Sequence, residues 1–527
     1  MPFSVKGNGG RKLTVGMVVL IMSAFLLFYG LHHYALWDDE ALTALSAKGI
    51  LRTGDTTAFV DHNIVAFREG ISLKDSYDRS TPPLSAYLAA VAMHFFGEEA
   101  WAARLPFAAM GLFTVGLFLW WLWRRNLDVE VWLVTGIAIL GNVSFFLYFR
   151  QCRYYGPAIF FSLWSAYLYL QAIPGRRRLF LLSISLTLLF ASSSINYTAF
   201  VAVMGLDYLI WGRKEKKINW REASLPIALH LLLAGIIGLI WNPLQTNLSR
   251  PLFSGSLGDR LNLIWLIIRD MNRCEFFPAL FFTLVPLVGW WRRDTWLWRG
   301  GVAFIVYVLV MSIIYPQDIR GVTFADVRYL VPLISLCIAL TVRMLMQLFS
   351  SRGIIVVAVA FLVCWTNVLN EGGKGEAGFR STVLAYGVEL FCPPPESYTP
   401  TANWIKGQVK PGQSVWVIPP YKMYPLMFHA PHAIYAWQFP DPPPPAYAHL
   451  PPIHIWGRIL PDFIVAFGPV VFELASLPLI KEYAFAGIIP FYWQDLYRPE
   501  LFWRTFRPVK YDKNAWQEVY IFRRRVF

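Results

Sequence analysis

Apolar runs broken by short basic clusters set the rhythm of the first 370 residues. The runs lie at Leu13–Leu36, Leu105–Trp123, Val131–Phe149, Gly156–Ile173, Leu179–Ala191, Tyr197–Trp211, Ser224–Trp241, Phe276–Trp291, Leu297–Tyr315, Tyr329–Phe349 and Gly353–Leu369. Their lengths of about 13–24 residues bracket the roughly 20 that a helix needs to cross a bilayer. The pattern therefore predicts about eleven crossings. No small-residue cleavage site follows Leu13–Leu36, so that run reads as an anchor and not as a removed signal. Pro82–Phe96 is also apolar, but at about fifteen residues it is short for a crossing. Counting it would move every later basic cluster to the other side of the membrane. It is expected instead as an interfacial or re-entrant helix, opened by Pro82 and Pro83.

Charge then orients the chain. Lys6, Arg11 and Lys12 place the N-terminus in the cytoplasm. The clusters Arg124/Arg125, Arg176–Arg178, Arg213–Arg221, Arg292/Arg293 and Arg352 fall on the same side. Residues 38–104 become one large external loop, and 371–527 are extracytoplasmic. The latter carry strand-like runs at Ser414–Ile418, Asp462–Phe467 and Val519–Phe522, with a helix-like stretch at Thr401–Val409. The expected architecture is an all-α polytopic membrane domain over 1–370 followed by a small α/β domain over 371–527.

Composition agrees: 56% of the residues are hydrophobic and only 15% charged, far from soluble averages. The net charge of +14 is scattered through the loops between apolar runs, which excludes a nucleic-acid surface. Five cysteines make no disulfide framework; Cys152 and Cys274, both near the outer face, could form a bridge, which would leave Cys392 unpaired.

The chemistry-bearing residues gather on the outer side. In "YALWDDEALTA", Asp38, Asp39 and Glu40 stand where an apolar run meets the external loop. Asp38 suits a helix cap. Anionic lipid headgroups would repel the other two, so a carboxylate held there reads as a general base. Three adjacent acids would also admit a divalent cation. In "FRQCRYYGP", Arg150, Arg153 and Tyr155 oppose the positive-inside trend, and two arginines at i, i+3 would share a face if the helix continued. Arg104 enters the second run beside Glu98 and Glu99. Arg269 and Arg273 lie on an amphipathic stretch, Leu257–Glu275, suited to the interface. Arg328 and Tyr329 occupy "ADVRYLVP". An acid beside outward-facing cations suits group transfer from a lipid phosphate: the carboxylate takes the acceptor proton, and guanidinium groups answer the charge on the departing phosphate.

These motifs, in this order, resemble the C-type superfamily of integral-membrane glycosyltransferases. The likeness is to protein O-mannosyltransferases, lipid A aminoarabinose transferases and lipopolysaccharide-core transferases. It is carried by Trp37, Asp39, Glu40 and Ala41 with Gly54/Asp55, by Pro82–Leu84, by "FGEEAWAARLP", by Arg150, Arg153 and Tyr155, and by "RYLVPL" from Arg328. The resemblance covers about the first two thirds of the chain. It implies Asp39 as catalytic base, Glu40 in support, arginines on the donor phosphate and no metal. The family usually has His or Lys before Pro-Pro; here Thr81 stands there and Arg79 is the substitute.

The implied partners are a polyprenyl-phosphate-linked sugar, a glycolipid, glycan or protein acceptor, and the lipids of a bacterial inner membrane. Two other readings stand beside this one. A transporter or flippase of lipid-linked sugar would need ionisable groups inside the spans, where Asp207, His230 and Arg343 are the ones found. A non-catalytic assembly factor would need no convergence of acids and arginines.

Overall fold

The computed structural model describes residues 9–65, 77–79, 81–171, 175–215, 218–241, 255–273, 284–349, 353, 355, 382–437, 450–455, 459–491 and 517–525. They fall into two compact units. The first holds the described residues of Met1–Tyr29 and Phe107–Val388; the second holds those of Gly30–Pro106, Glu389–Leu496 and Pro508–Phe527.

Helices in the first unit follow the apolar runs. In chain order the elements begin with α1 (Gly9–Phe28), α2 (Asp38–Thr53), the hairpin β1 (Phe59–Val60) and β2 (Asn63–Ile64), α3 (Leu84–Phe96) and α4 (Ala100–Arg124). Next come α5 (Val129–Leu140), α6 (Val143–Phe149), α7 (Tyr155–Leu170), α8 (Arg176–Ser192), α9 (Ser194–Asp207) and α10 (Trp220–Trp241). They are followed by α11 (Leu257–Arg273), α12 (Val285–Trp291), α13 (Thr295–Ile314) and α14 (Leu333–Leu348).

Among the described residues, four helices (α1, α4, α10 and α13) are long and apolar enough to cross a membrane, and a fifth span arises if the bent pair α5–α6 counts as one. That pair turns by 62° at Gly141–Asn142, where the Asn142 side chain accepts the Phe145 N–H at 2.9 Å and starts a new helix. The expected run Val131–Phe149 is therefore broken. Phe276–Trp291 is described only over α12. Gly353–Leu369 lies outside the described residues apart from 353 and 355, and so does Cys274.

Polar residues start and join these helices. Asp294 begins α13 by accepting the N–H groups of Trp296 and Leu297 at 3.0 and 3.2 Å. The same carboxylate takes Arg343 of α14 at 2.7 Å and Gln347 at 2.8 Å. Asp207 on α9 binds Arg299 on α13 through two bonds of 2.9 and 2.6 Å, and Tyr169 of α7 donates to it at 2.8 Å. His230 of α10 bridges Thr187 and Tyr197 at 2.8 and 2.7 Å. All three ionisable groups that a transporter would use are thus paired within the helix bundle. The amphipathic α11 turns Leu263, Leu266, Ile267 and Met271 inward and leaves Leu257, Leu261 and Trp265 exposed.

The second unit joins α2, α3 and the β1–β2 hairpin to the C-terminal residues. There the last residues of α15 (Thr382–Phe391), from Glu389 on, lead to α16 (Tyr398–Gln408), β3 (Ser414–Ile418), α17 (Met423–His429), β4 (Ile434–Ala436), β5 (Phe463–Phe467), α18 (Val470–Ala475), β6 (Tyr483–Phe491) and β7 (Gln517–Arg524). The strand order is β4-β3-β5-β7-β6. β3 runs parallel to β4 and β5, while β7 pairs antiparallel with β5 and β6. β5 is buried along its whole length, as a central strand covered on both faces must be. Trp416, Ile464, Ala466, Leu474 and Tyr483 form a core on one face.

The β1–β2 hairpin is tied to this sheet through the backbone of residues 433–435 and the Trp437 side chain. Asn63 donates to the Ala433 carbonyl at 2.9 Å and accepts the Tyr435 N–H at 2.8 Å, and the Trp437 indole donates to the Ile64 carbonyl at 2.7 Å. A hairpin of two two-residue strands is not stable alone in water; the α/β layer supplies the missing partners.

Helices α12 and α13 approach so closely that a side chain at Gly289 would lie 2.9 Å from the Leu297 carbonyl carbon, and one at Gly301 would lie 2.6 Å from Pro286 Cδ. Gly289→Ala is expected to cost about 1–3 kcal/mol through overpacking, read as a lower melting temperature of the solubilised protein. Gly205→Ala, with nothing within 4 Å, should leave that temperature unchanged or slightly higher.

Candidate active site

The acid triplet opens α2, and its three carboxylates have different fates. Trp37 is the N-cap residue, in extended conformation at φ −83°, ψ 172°. The Glu40 side chain reaches back to accept the Trp37 N–H at 3.3 Å, one half of a capping box. Asp38 is thus the first helical residue and not the cap expected from sequence. Its carboxylate turns away from the helix end: Oδ1 accepts the Tyr398 hydroxyl, and Oδ2 lies 3.5 Å from Lys422 Nζ. Asp38 and Glu40 are buried. Asp39, between them, is half-buried and the most accessible of the three.

Glu40 and Arg104 are both 0% exposed. Charges so placed are tolerable only when fully paired and hydrogen-bonded. Arg104 Nε donates to Glu40 Oε1 at 2.9 Å and Nη2 donates to Oε2 at 2.6 Å. Nη2 also donates to the Ala35 carbonyl at 2.9 Å, and Nη1 donates to those of Leu31 and Tyr34 at 2.9 and 2.7 Å. All five guanidinium donors are engaged, so Arg104 ties the 31–35 turn to α2 and has no N–H left for a phosphate. His429, on α17, accepts the Leu36 N–H at 3.4 Å. Burial, reinforced by Arg104, Lys406 and Lys48, pushes its imidazole pKa down to about 3, so the ring stays neutral.

Arg79 is likewise committed. Its two terminal nitrogens hold Asp55 at 2.6 and 2.7 Å, and one also donates to Thr56 at 2.7 Å. The Arg79 hydrogen bonds hold the Asp55 carboxyl below the usual carboxylate range. Gly54, at φ 83°, supplies the left-handed turn that ends α2 and delivers Asp55 to this pair. Behind it, Lys48 lies 3.4 Å from Glu98 and 3.8 Å from Asp61, and Arg52 binds Glu98.

In the first unit, the pairing expected for Arg150 and Arg153 does not form. Helix α6 ends at Phe149, Arg150 is its C-terminal flank at φ −89°, ψ 7°, and α7 begins only at Tyr155. Arg150 Nη1 donates to the carbonyls of Leu26 and Tyr29 at 2.8 and 2.7 Å. It therefore satisfies the C-terminal end of α1, where carbonyls lack partners and a cation is favoured.

Arg153 takes a different direction. Its guanidinium lies 5.6 Å from the Tyr154 ring centre and 6.0 Å from that of Tyr155. Arg328 lies 5.4 Å from the Tyr329 ring and binds Asp326 at 2.6 Å. Burial, with Tyr155 and Tyr329 adding to it, raises the Tyr154 hydroxyl well above its ordinary value, while Arg328 and Arg153 oppose that rise. Two cations and three tyrosines thus form one electrostatic neighbourhood, and among the described residues the buried Tyr154 hydroxyl has no hydrogen-bond partner. Close by, Tyr307 donates to Asn196 at 3.0 Å and to the Tyr329 carbonyl at 3.5 Å. Tyr315 stacks edge-on against Tyr329.

Arg269 is answered by Asp270 at 2.7 Å and by the Thr323 carbonyl at 2.7 Å. Arg273 closes α11, and its side chain lies outside the described residues. Sequence reasoning missed Tyr154, Asn196, Asp270 and Asp326. Tyr154 lies inside the motif that drew attention to its neighbours. Asp326 precedes Arg328 in "ADVRYL" and could have been seen as its counter-charge. Among the described residues, no group of three or more His, Cys, Asp or Glu side chains could hold a metal ion.

A family profile described as dolichyl-phosphate-mannose-protein mannosyltransferase matches residues 80–241. No curated protein sequence matches the chain. The fold is similar to that of ArnT from Cupriavidus metallidurans. The apo crystal structure of ArnT is 14% identical and covers 89% of this chain and 95% of its own, with a TM-score of 0.54. The crystal structure of ArnT bound to undecaprenyl phosphate is also 14% identical, covers 98% of each chain and has a TM-score of 0.55. The resemblance drawn from the motifs thus recurs as a shared fold over almost the whole chain.

Arg104→Leu strands a buried carboxylate and is expected to destabilise the protein by about 3–5 kcal/mol, measured by denaturation of the solubilised chain; Glu40→Gln/Arg104→Met should recover part of that loss. Because the Asp55 pKa is lowered by folding, its contribution is present above the unfolded value of about 3.9 and is lost as pH falls through the folded value. Melting temperatures followed from pH 5 to pH 2 should therefore decline less steeply in Arg79→Gln than in wild type.

Proposed function

We propose that the chain is an inverting, C-type membrane glycosyltransferase. It moves one sugar from a polyprenyl phosphate to a hydroxyl of a glycolipid, glycan or protein acceptor, on the extracytoplasmic face of a bacterial inner membrane. The N-terminus is cytoplasmic and residues from 371 onward are extracytoplasmic. Support comes from the family profile over residues 80–241, from the ArnT-like fold, a member of which holds undecaprenyl phosphate, and from helices long and apolar enough to span a membrane.

The observation that carries the reading is the separation of the three acids at the start of α2: Asp38 and Glu40 are buried against Lys422 and Arg104, while Asp39 stays half-buried. Asp39 is the base. Its carboxylate takes the acceptor hydroxyl proton as that oxygen attacks the anomeric carbon. The bond between the sugar and the phosphate oxygen breaks, and its electron pair leaves on the polyprenyl phosphate. The products are the glycoside, the lipid phosphate and a protonated Asp39, which returns its proton to solvent. Phosphate leaves readily, so no separate general acid is required.

The donor phosphate falls to Arg153 and Arg328, with Tyr155 and Tyr329 beside them, as charge-assisted donors. Arg104, Arg150 and Arg79 act as positioning residues because carbonyls and carboxylates engage them. Purified protein in nanodiscs is expected to bind undecaprenyl phosphate and to transfer a labelled sugar from its glycosylated form. Arg153→Gln and Arg328→Gln should each weaken undecaprenyl phosphate binding about tenfold or more, whereas Arg124→Gln should leave it unchanged. Absence of both binding and transfer by the wild type would end this reading.

A further inference from the structure

The segment "PPPESYTPTANW" brings a tyrosine to α2. Glu396 accepts the N–H groups of Tyr398 and Thr399 at 2.5 and 2.8 Å, which fixes the first turn of α16 and holds Tyr398 at 1% exposure. After β3, the 3₁₀ turn Pro420–Lys422 delivers Lys422, itself 2% exposed. Lys422 Nζ donates to the Tyr398 hydroxyl at 3.0 Å and lies 3.5 Å from Asp38 Oδ2. The Tyr398 hydroxyl donates in turn to Asp38 Oδ1. The α/β layer thus sends a buried ammonium and a buried phenol to the residue next to Asp39.

We infer that Tyr398 and Lys422 are positioning residues for Asp39, so that the C-terminal layer completes the active site and is not a separate appendage. This inference rests on the reading of Asp39 as base. Successive side chains on a helix project about 100° apart. Asp38 clamped on one side and Glu40 on the other therefore fix the rotation of the first turn, and with it the direction of the carboxylate between them. Each clamp also supplies one cation to a turn that carries three acids. Remove Lys422, and the buried Asp38 charge both loses its partner and repels the next carboxylate.

The test uses the full-length protein in nanodiscs with Tyr398→Phe, Lys422→Met and Lys422→Arg. Transfer from an undecaprenyl-phosphate-linked sugar should lose about tenfold or more in kcat in the first two, with the donor KM within twofold of wild type. Lys422→Arg should keep at least a third of wild-type kcat. Hydrogen exchange supplies a readout without substrate: amides at the start of α2 should exchange about tenfold faster in Lys422→Met, with those of α13 unchanged.

Wild-type kcat together with wild-type exchange in Tyr398→Phe and Lys422→Met would overturn the inference. So would a kcat loss that only tracks the folded fraction, with exchange raised throughout both units. If the wild type neither binds undecaprenyl phosphate nor transfers sugar, the transferase reading fails by itself. Selective acceleration at α2 would then still support the positioning role, and unchanged exchange would overturn it.

Discussion

A guanidinium and a carboxylate without access to water hold the second unit in register. Arg104 and Glu40 are each fully buried, and a charge so placed survives only if every donor finds an acceptor. That demand fixes three things together: the turn at 31–35 that supplies carbonyls, the start of α2 that supplies Glu40, and the entry to α4 that supplies Arg104. The helix end, the acid triplet and the loop before it cannot move independently of this pair.

Asp39 gains its distinction from its neighbours. Asp38 is taken by Tyr398 and Lys422 and Glu40 by Arg104, so the helix start is electrostatically answered on both flanks of the proposed base. A similar division runs through the arginines. Arg150 closes the end of α1 and Arg79 closes Asp55. Arg153 and Arg328 lie beside aromatic rings, a setting that favours a cation, and Arg328 also binds Asp326 at 2.6 Å.

Much of this was legible in the sequence, and the remainder was hidden for physical reasons. Hydrophobic periodicity located most helices of the first unit, and β-branched runs located β3, β5 and β7 to within a few residues. β6 escaped because "YAFAGIIPF" carries Gly487 and Pro490, which an edge strand with a bulge tolerates, and β4 is three residues long. The order of the motifs pointed to the fold. The partners of each arginine were not legible: the carbonyls that engage Arg104 and Arg150 belong to any residue type, and Tyr398 and Lys422 lie some 360 and 380 positions from Asp38.

The central claim is that one carboxylate of the three performs the chemistry. The direct measurement is turnover of a labelled sugar from undecaprenyl-phosphate-linked donor by Asp39→Asn, against wild type at equal folded concentration. A lost general base should lower turnover by about 10²–10⁴-fold, while undecaprenyl phosphate binding stays at the wild-type level. Turnover at the wild-type rate in folded Asp39→Asn protein would contradict the account.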